Sequence, residues 1–334
     1  MKLLRKILFP VVPIYYAVTS LRNMLYNLGI KKSKSYNLPI ICVGNLSVGG
    51  TGKTPMIEYL IEILKVGYKV ATLSRGYGRK TKGFILADKS ATAKSLGDEP
   101  FQFYNKFKND IIVAVDENRN NGIQNLMSLK ASPDIILLDD AFQHRKVKAG
   151  FNILLTTYDN IYTNDFVLPT GNLREPKCGA KRANIIIVTK CPEHLSEDDK
   201  HYIVVKINPE AHQQVFFSYI KYSDYVISNS DSKKVSNLPN FTLVTGIANP
   251  KPLVGFLNKK GLKFNHLNFK DHHEFSSQEV LELNRKEFIV TTEKDFMRLN
   301  QYESLRDKLY YIPIAVSVTD TEKINSLIKG FVES

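Results

Sequence analysis

Short apolar runs alternate with segments of helical periodicity along the chain. The runs in its first part lie at 38–43, 69–74, 110–115, 135–138, 151–156 and 185–192. Bounded by turn residues, such runs predict buried strands. After the first run, Ile57, Leu60, Ile61 and Leu64 recur at the spacing of one helix face. Buried strands separated by helices are typical of a mostly parallel sheet flanked by helices, so we predict an α/β fold.

A glycine-rich stretch joins the first predicted strand to the first helix. Its glycines let the backbone curl around an anion with the N–H groups pointing inward. Lys53 would reach the β- and γ-phosphates of a nucleotide, and the Thr54 hydroxyl would bind Mg²⁺. Ser47 stands where the G-x-x-x-x-G-K-[ST] pattern has its first glycine, and a purely structural turn is the alternative. We predict a nucleotide site formed by Asn45, Ser47, Val48, Gly49, Gly50, Thr51, Gly52, Lys53 and Thr54.

Two adjacent acids, Asp139 and Asp140, end a later apolar strand. A carboxylate at the end of a buried strand beside a P-loop supports Mg²⁺ in nucleotide-binding proteins. Ligands of open α/β sheets also gather at these carboxyl ends. Because two neighbouring carboxylates repel one another unless a cation is near, we assign the pair to the metal. Which of the two contacts it stays open, and a simple loop start is the alternative.

Other polar groups follow predicted strands or begin helices. Arg75 and Arg79 form a candidate anion grip or, equally, a solvated basic turn. Asp98 precedes a helix and on its own is best explained as a helix cap. Thr189 and Lys190 are similar to the guanine-reading box of GTPases, but Pro192 occupies the position of that box's aspartate. This difference favours ATP.

The N-terminal segment is basic and apolar. Residues 1–34 contain no acidic side chain, and the uncharged run 7–21 is shorter than the roughly 20 residues needed to span a bilayer. Pro10 and Pro13 interrupt its first turns. An apolar segment with flanking basic residues suits the surface of an anionic membrane. We expect a membrane-associated helix; an ordinary core helix, a secretory signal and a true span are the alternatives.

The later part of the chain predicts a second, smaller α/β subdomain with strands near 241–245, 288–292 and 309–314. Strands near 213–222 and 225–227 look like a bridge, followed by a polar turn. We therefore expect four parts. They are an N-terminal membrane-associated segment (1–34), a P-loop domain (35–212), a two-stranded linker (213–234) and a C-terminal α/β subdomain (235–334).

Net charge and cysteine content limit the classes of binding partner and the cellular compartment that we expect. The 334 residues carry a formal net charge of +13, which indicates an anionic partner. Cys42, Cys178 and Cys191 are odd in number and lack zinc-ligand spacing, which fits a reducing compartment. We expect no nucleic-acid partner, because no stacking or groove-reading module accompanies the charge.

Seven motifs taken together resemble the tetraacyldisaccharide 4′-kinase family. In family order they read VGNLSVGGTGKTP, LSRGYGR, GDEP, LLDDAFQH, GNLREP, DHHEF and TTEKD. The resemblance implies a P-loop kinase with two α/β subdomains and a membrane-associated N-terminal helix. Its expected reaction uses ATP and Mg²⁺ to phosphorylate the 4′-hydroxyl of tetraacyldisaccharide 1-phosphate, forming lipid IVA in lipid A biosynthesis. The expected place is the cytoplasmic face of the bacterial inner membrane, peripheral or monotopic, with no obligate protein partner.

The resemblance also implies roles for single residues. Asp98 and His272 would act together on the proton of the sugar hydroxyl, Asp98 as its acceptor. The expected metal set is Thr54, Asp139, Asp140 and Glu175. Candidates for contact with the substrate are Arg75, Tyr77, Arg79, Arg119, Gln143 and His144.

A partitioning-type P-loop ATPase that acts as a membrane-associated switch is the alternative function. Val48 stands where the signature lysine of that class would be, and the GDEP and DHH motifs would have no role in it. Phosphorylation of a lipid disaccharide separates the two functions, because only the kinase makes a phosphorylated lipid.

Overall fold

The structure, a computed structural model, describes residues 8–271 and 273–334. The strands are β1 (Ile40–Asn45), β2 (Val70–Ser74), β3 (Ile85–Leu86), β4 (Ile112–Val115), β5 (Ile135–Asp139), β6 (Phe151–Thr157), β7 (Ile185–Thr189), β8 (Gln214–Tyr222), β9 (Tyr225–Ile227), β10 (Ser232–Lys234), β11 (Phe241–Thr245), β12 (Phe264–Asn268), β13 (Ile289–Thr292), β14 (Leu309–Ile312) and β15 (Ile314–Val318). Together they form two sheets.

The helices lie mainly between these strands. They are α1 (Val12–Asn27), α2 (Lys53–Leu64), α3 (Ala93–Leu96), α4 (Asp98–Phe107), α5 (Arg119–Met127), α6 (Glu197–Ile207), α7 (Lys251–Lys259), α8 (Ser277–Asn284), α9 (Glu293–Leu299) and α10 (Thr321–Glu333). In the described ranges, no helix is both long enough and apolar enough to cross a membrane.

The larger sheet has nine strands in the order β15-β8-β7-β6-β1-β5-β2-β4-β3. Neighbouring strands run parallel except at the two edges, where β15 and β3 are antiparallel to their neighbours. Helices α2, α4 and α10 cover one face, and α5 and α6 cover the other. Strands covered on both faces are mostly apolar, as the fully buried β1, β5 and β7 are up to the polar residue that ends each of them. The predicted mostly parallel α/β fold is confirmed.

The smaller sheet has six strands in the order β10-β9-β14-β13-β11-β12. Strands β11 to β14 pair in parallel, and β9 joins them antiparallel. Helix α7 packs against one face through Leu253 and Leu257. Helices α8 and α9 pack against the other face through Leu283, Phe296 and Leu299. This sheet therefore has its own core and forms a second α/β subdomain.

Strand pairing divides the chain differently from the boundaries that we expected from the sequence. Strand β8, expected within the linker 213–234, pairs with β7 in the larger sheet and buries Phe216 there. Strand β15 and helix α10, expected within the subdomain 235–334, also return to the larger sheet. The physical reason is burial, because Ile324 and Ile328 of α10 complete the core over that sheet. Local patterning contains no information on a partner strand so far away along the chain.

Candidate active site

The glycine-rich stretch is an open loop between β1 and α2. Gly49 and Gly52 have φ angles of +113° and +85°, values at which a side chain is strained. No atom lies within 4 Å of the position that a Cβ of Gly49 would occupy. The loop is braced by its own side chains, since Asn45 Nδ2 donates to Thr51 Oγ1 at 2.9 Å. A loop of this shape, leading into a helix N-terminus, can hold a phosphate group with backbone N–H groups.

Two residues at the end of β7 bind backbone carbonyls of this loop. Thr189 Oγ1 donates to Thr51 O at 2.8 Å, and Lys190 Nζ donates to Gly50 O at 2.6 Å. These two bonds fix the loop backbone at Gly50 and Thr51. The similarity to the guanine-reading box points to this pair, which adds Thr189 and Lys190 to the residues around the loop.

Lys53 and Asp140 face each other at the mouth of the loop. Lys53 Nζ lies 3.6 Å from Asp140 Oδ1, and Arg174 Nη1 contacts both oxygens of the same carboxylate at 3.1 Å. Burial alone would raise the pKa of Asp140, but the charges of Lys53 and Arg174 outweigh it and lower that pKa. The sequence identifies the motif that contains Arg174 but not this arginine, because its partner Asp140 lies 34 positions away in the chain.

Asp139 presents a carboxylate oxygen that fits a cation. It is buried at the end of β5, and Ser74 Oγ donates to its Oδ2 at 3.2 Å. In the described part of the chain, its Oδ1 has no hydrogen-bond partner. Burial first, and then the charge of Asp140, raise the pKa of Asp139 to about 6. A divalent cation would relieve both effects, so these residues fit a bound Mg²⁺.

The metal would depend on the nucleotide for further ligands. Among the described residues, no group of three or more His, Cys, Asp or Glu side chains could hold an ion. Mg²⁺ is ordinarily bound by one or two carboxylates together with phosphate oxygens and waters. Thr54, half-buried in the first turn of α2, has the hydroxyl that such a site uses.

Glu175 is the centre of a buried hydrogen-bond network. Its side chain is 1% exposed and accepts from Asn23 Nδ2 at 2.6 Å, Gln143 Nε2 at 3.1 Å and Arg182 Nη2 at 2.7 Å. Gln143 Nε2 also donates to Asn45 O at 2.7 Å. These contacts connect the end of β1 to the loop that carries Arg174.

Helix α1 docks on the loops that follow β5 and β6. Tyr15 OH donates to Arg174 O at 2.9 Å, and Arg22 Nη2 donates to Gln143 O at 2.6 Å. The opposite side of α1 is apolar and exposed, with Ile14 at 65% and Val18 at 61%. The rest of the expected N-terminal segment, residues 1–7, lies outside the described residues.

The candidate substrate residues fall into two groups. Arg79 and Arg119 are engaged within the protein, Arg79 with Glu117 and Arg119 with the backbone oxygens of Asp116 and Asp139. Arg75 and Tyr77, in the turn after β2, are exposed.

His144 is partly buried beside this turn. Burial lowers the pKa of His144 to about 4, and the positive charges of Arg119, Lys146 and Arg22 add to this shift. Arg75 is close enough to add to that effect. The imidazole is therefore neutral at physiological pH.

Asp98 begins α4 and faces the second subdomain. Arg298 of α9 donates to Asp98 Oδ2 through Nε at 3.2 Å and also through Nη2. Gly97 permits the approach of the preceding turn, because a Cβ there would lie 2.9 Å from Tyr77 O. We did not foresee Arg298 from the sequence.

His272 lies outside the described residues, but its neighbour in the chain, Asp271, can be placed. Lys294 Nζ lies 3.9 Å from Asp271 Oδ1 and 3.5 Å from Glu99 Oε1. A single ammonium group therefore connects the residue before His272 with the residue after Asp98.

These features define a P-loop nucleotide-binding protein of the α/β class. Its phosphate loop and acid pair lie at the carboxyl ends of the parallel strands β1 and β5, and Asp98 begins helix α4. Comparison with known proteins identifies the family. The model of the family described as Tetraacyldisaccharide-1-P 4′-kinase (LpxK) matches residues 4–333, and this chain belongs to that family.

Relatives of known sequence and structure agree with this assignment. The tetraacyldisaccharide 4′-kinase of Flavobacterium johnsoniae is 54% identical, covering 94% of this chain and 93% of its own. The enzyme of the same name from Flavobacterium psychrophilum is 49% identical, covering 100% and 98%. A crystal structure of LpxK from Aquifex aeolicus in complex with ATP superposes with a TM-score of 0.80 at 29% identity, covering 98% of this chain and 99% of that one.

Proposed function

We propose that this protein transfers the γ-phosphate of ATP to the 4′-hydroxyl of tetraacyldisaccharide 1-phosphate and so forms lipid IVA for lipid A biosynthesis. The observation that carries the proposal is the family match over residues 4–333. It includes the phosphate loop, the acid pair and Asp98 in one chain. The protein is therefore an ATP-dependent phosphotransferase with an alcohol group as acceptor.

The phosphate donor is held by the loop from Asn45 to Thr54. Its backbone N–H groups and the Lys53 ammonium neutralise the terminal phosphates, since phosphoryl transfer depends mainly on positioning and charge. Thr54 and the pair Asp139 and Asp140 would hold Mg²⁺. When bound, this ion would neutralise the charge of the phosphate groups.

Asp140 exchanges partners when the nucleotide binds. In the structure, its carboxylate is the counter-ion of Lys53 and Arg174. Phosphate oxygens provide both cations with a stronger, charge-assisted partner. The Asp140 carboxylate would then be available to hold the metal together with Asp139, whose Oδ1 has no hydrogen-bond partner in the described ranges.

The acceptor hydroxyl loses its proton to Asp98, assisted by His272. General-base help of this kind needs a carboxylate within hydrogen-bond reach of the hydroxyl. Asp98 begins α4, next to the turn that holds Arg75 and Tyr77. These two exposed side chains are the candidates for contact with the anionic sugar. We assign Arg79, Arg119, Gln143 and His144 to the support of the surrounding loops, because they are engaged within the protein or partly buried.

Glu175 fits a supporting role better than a place in the metal set. Asn23, Gln143 and Arg182 already donate to its carboxylate. A carboxylate with these donors has little capacity left for an ion. Through Asn23, it connects α1 to the active-site loops.

The lipid acceptor reaches the site from a membrane surface, on which the protein lies peripherally at the cytoplasmic face of the inner membrane. The support is the apolar outer side of α1, together with the exposed basic residues Lys31 and Lys32 that follow its C-terminal end. An amphipathic helix of this type binds where anionic headgroups meet acyl chains.

The decisive experiment combines purified protein, ATP, Mg²⁺ and tetraacyldisaccharide 1-phosphate in mixed micelles. Mass analysis of the lipid should show a product with one added phosphate, absent when Lys53→Met replaces the wild type. ATP hydrolysis without a phosphorylated lipid would contradict the proposal and favour the partitioning-type ATPase.

A further inference from the structure

Arg298 connects the second subdomain to Asp98. Its Nε and Nη2 both donate to Asp98 Oδ2, with Nε at 3.2 Å. The arginine side chain is 10% exposed, so this pair is largely shielded from water. The two residues are 200 positions apart in the chain.

The second subdomain also fixes the other side of the guanidinium group. Arg298 Nη1 lies 3.5 Å from Asp295 Oδ1. Asp295 is fully buried and accepts from Gly246 N at 2.8 Å and Thr292 Oγ1 at 2.7 Å. The orientation of Arg298 is therefore set by the end of β11 and the first turn of α9.

The same helix meets α4 at two further charged contacts. Lys294 Nζ lies 3.5 Å from Glu99 Oε1, and Glu293 Oε2 lies 3.5 Å from Lys106 Nζ. Arg298 thus belongs to a docked interface between α9 and α4. Its orientation depends on that docking.

We propose that Arg298 is a positioning residue for phosphoryl transfer, which orients the Asp98 carboxylate toward the acceptor hydroxyl. A planar guanidinium with two donors restricts rotation of a carboxylate more strongly than a single contact does. The second subdomain therefore sets the direction of the proton acceptor that the first subdomain carries. This inference rests on the proposed function, because Asp98 is the proton acceptor there.

Steady-state kinetics on the full chain test the role of Arg298. We expect Arg298→Met to lower kcat roughly 100-fold, since misplacement of a reacting group by about 1 Å costs that much. The ATP dissociation constant should stay unchanged, because Arg298 lies on the acceptor side. Arg298→Lys keeps the positive charge but lacks the two guanidinium donors. It should recover part of the rate, to within roughly 10-fold of the wild type. An unchanged kcat in Arg298→Met would overturn the inference.

Two controls separate positioning from folding. Arg306→Met removes an exposed arginine of the same subdomain, which pairs with Glu303, and should leave kcat unchanged. Thermal unfolding shows whether each variant is folded. If Arg298→Met does not fold, Arg298→Lys tests the inference instead. A wild-type kcat in Arg298→Lys would show that the two-donor guanidinium contact with Asp98 is not needed.

A double-mutant cycle connects Arg298 to Asp98. If Arg298 acts through this carboxylate, adding Arg298→Met to Asp98→Asn should cause no further loss of kcat. A further loss of the size seen in the single variant would overturn the inference. Full activity of Asp98→Asn would remove the base role and this inference with it. Absence of lipid product from the wild type would instead refute the proposed function.

Discussion

Lys190 Nζ donates to the carbonyl oxygen of Gly50 at 2.6 Å, across 140 positions of sequence. Strand β6 lies between the strand before Lys190 and the strand before the phosphate loop. The contact fixes the backbone of the phosphate loop at Gly50. Lys190 itself has a φ of +58°, a conformation that a non-glycine residue keeps only when its surroundings fix it.

Replacing Lys190 by methionine should weaken ATP binding. The lost bond is charge-assisted, and such bonds contribute about 1.5–3 kcal/mol, so we expect at least a roughly tenfold higher dissociation constant by calorimetry. Lys181→Met is the matched control, because Lys181 pairs with Glu210 on the surface. Equal ATP affinity in wild type and Lys190→Met would show that the loop keeps its shape without this contact.

Replacing Lys53 by methionine should abolish lipid phosphorylation while the fold survives. Arg174 still pairs with Asp140 in the variant, so the carboxylate is not left without a counter-ion. We expect no detectable phosphorylated lipid and a smaller rise of the melting temperature on addition of ATP. Lys200→Met, which removes a surface partner of Glu197, should behave as wild type. Lipid product from Lys53→Met would disprove the assignment of the phosphate loop.

Asp98 and His272 should show coupled effects on kcat. If they act as one unit, Asp98→Ala and His272→Ala each remove most of its contribution, so the double variant loses less than the product of both. KM values should change little. Strictly multiplicative losses would mean that the two side chains act independently.

The outer side of α1 should determine membrane binding. Ile14→Glu and Val18→Glu place charges on exposed apolar positions. Each should lower the affinity for anionic liposomes. Co-sedimentation measures this affinity. Binding of ATP should be unaffected, since neither side chain faces the loops. Val66→Glu, at a position that is 88% exposed elsewhere, is the control. Unchanged liposome binding in the α1 variants would place the membrane contact elsewhere.

Glu293, which lies at the contact between α9 and α4, should make the free energy of unfolding depend on pH. Burial first, and then the charge of Glu58, raise the pKa of Glu293 from 4.5 to about 7. The folded state therefore binds this proton more tightly than the unfolded chain. The resulting stability is fully present below pH 4.5 and is lost as the pH rises toward 7.

A glutamine at this position should remove that dependence. At pH 8, Glu293→Gln should be more stable than wild type by on the order of 1 kcal/mol or more, and the difference should shrink toward pH 4.5. Melting temperatures across this range test it, with Glu303→Gln as an exposed control. A difference that stays constant with pH would mean that Glu293 titrates normally.

Several elements of the site could be predicted from the sequence because each is local. The glycines at 49 and 52, Lys53 and Thr54 form a phosphate loop within a few residues, and the flanking apolar pattern places it between a strand and a helix. The acid pair at the end of β5 follows from the same rule. Three further contacts could not be predicted: Lys190 with Gly50, Arg174 with Asp140 and Arg298 with Asp98. Each joins residues far apart in the chain, and such pairs leave no periodic pattern.

The sequence by itself thus determined the α/β class, the phosphate loop and the family, because local spacing and ordered motifs carry that information. Only the tertiary structure decided three points. Strand β15 and helix α10 complete the larger sheet, Glu175 is enclosed by hydrogen-bond donors, and Arg298 of the second subdomain binds Asp98 of the first. These outcomes depend on which segments, far apart in the chain, bury their side chains against one another. Burial and ion pairing between remote segments are properties of the folded chain as a whole.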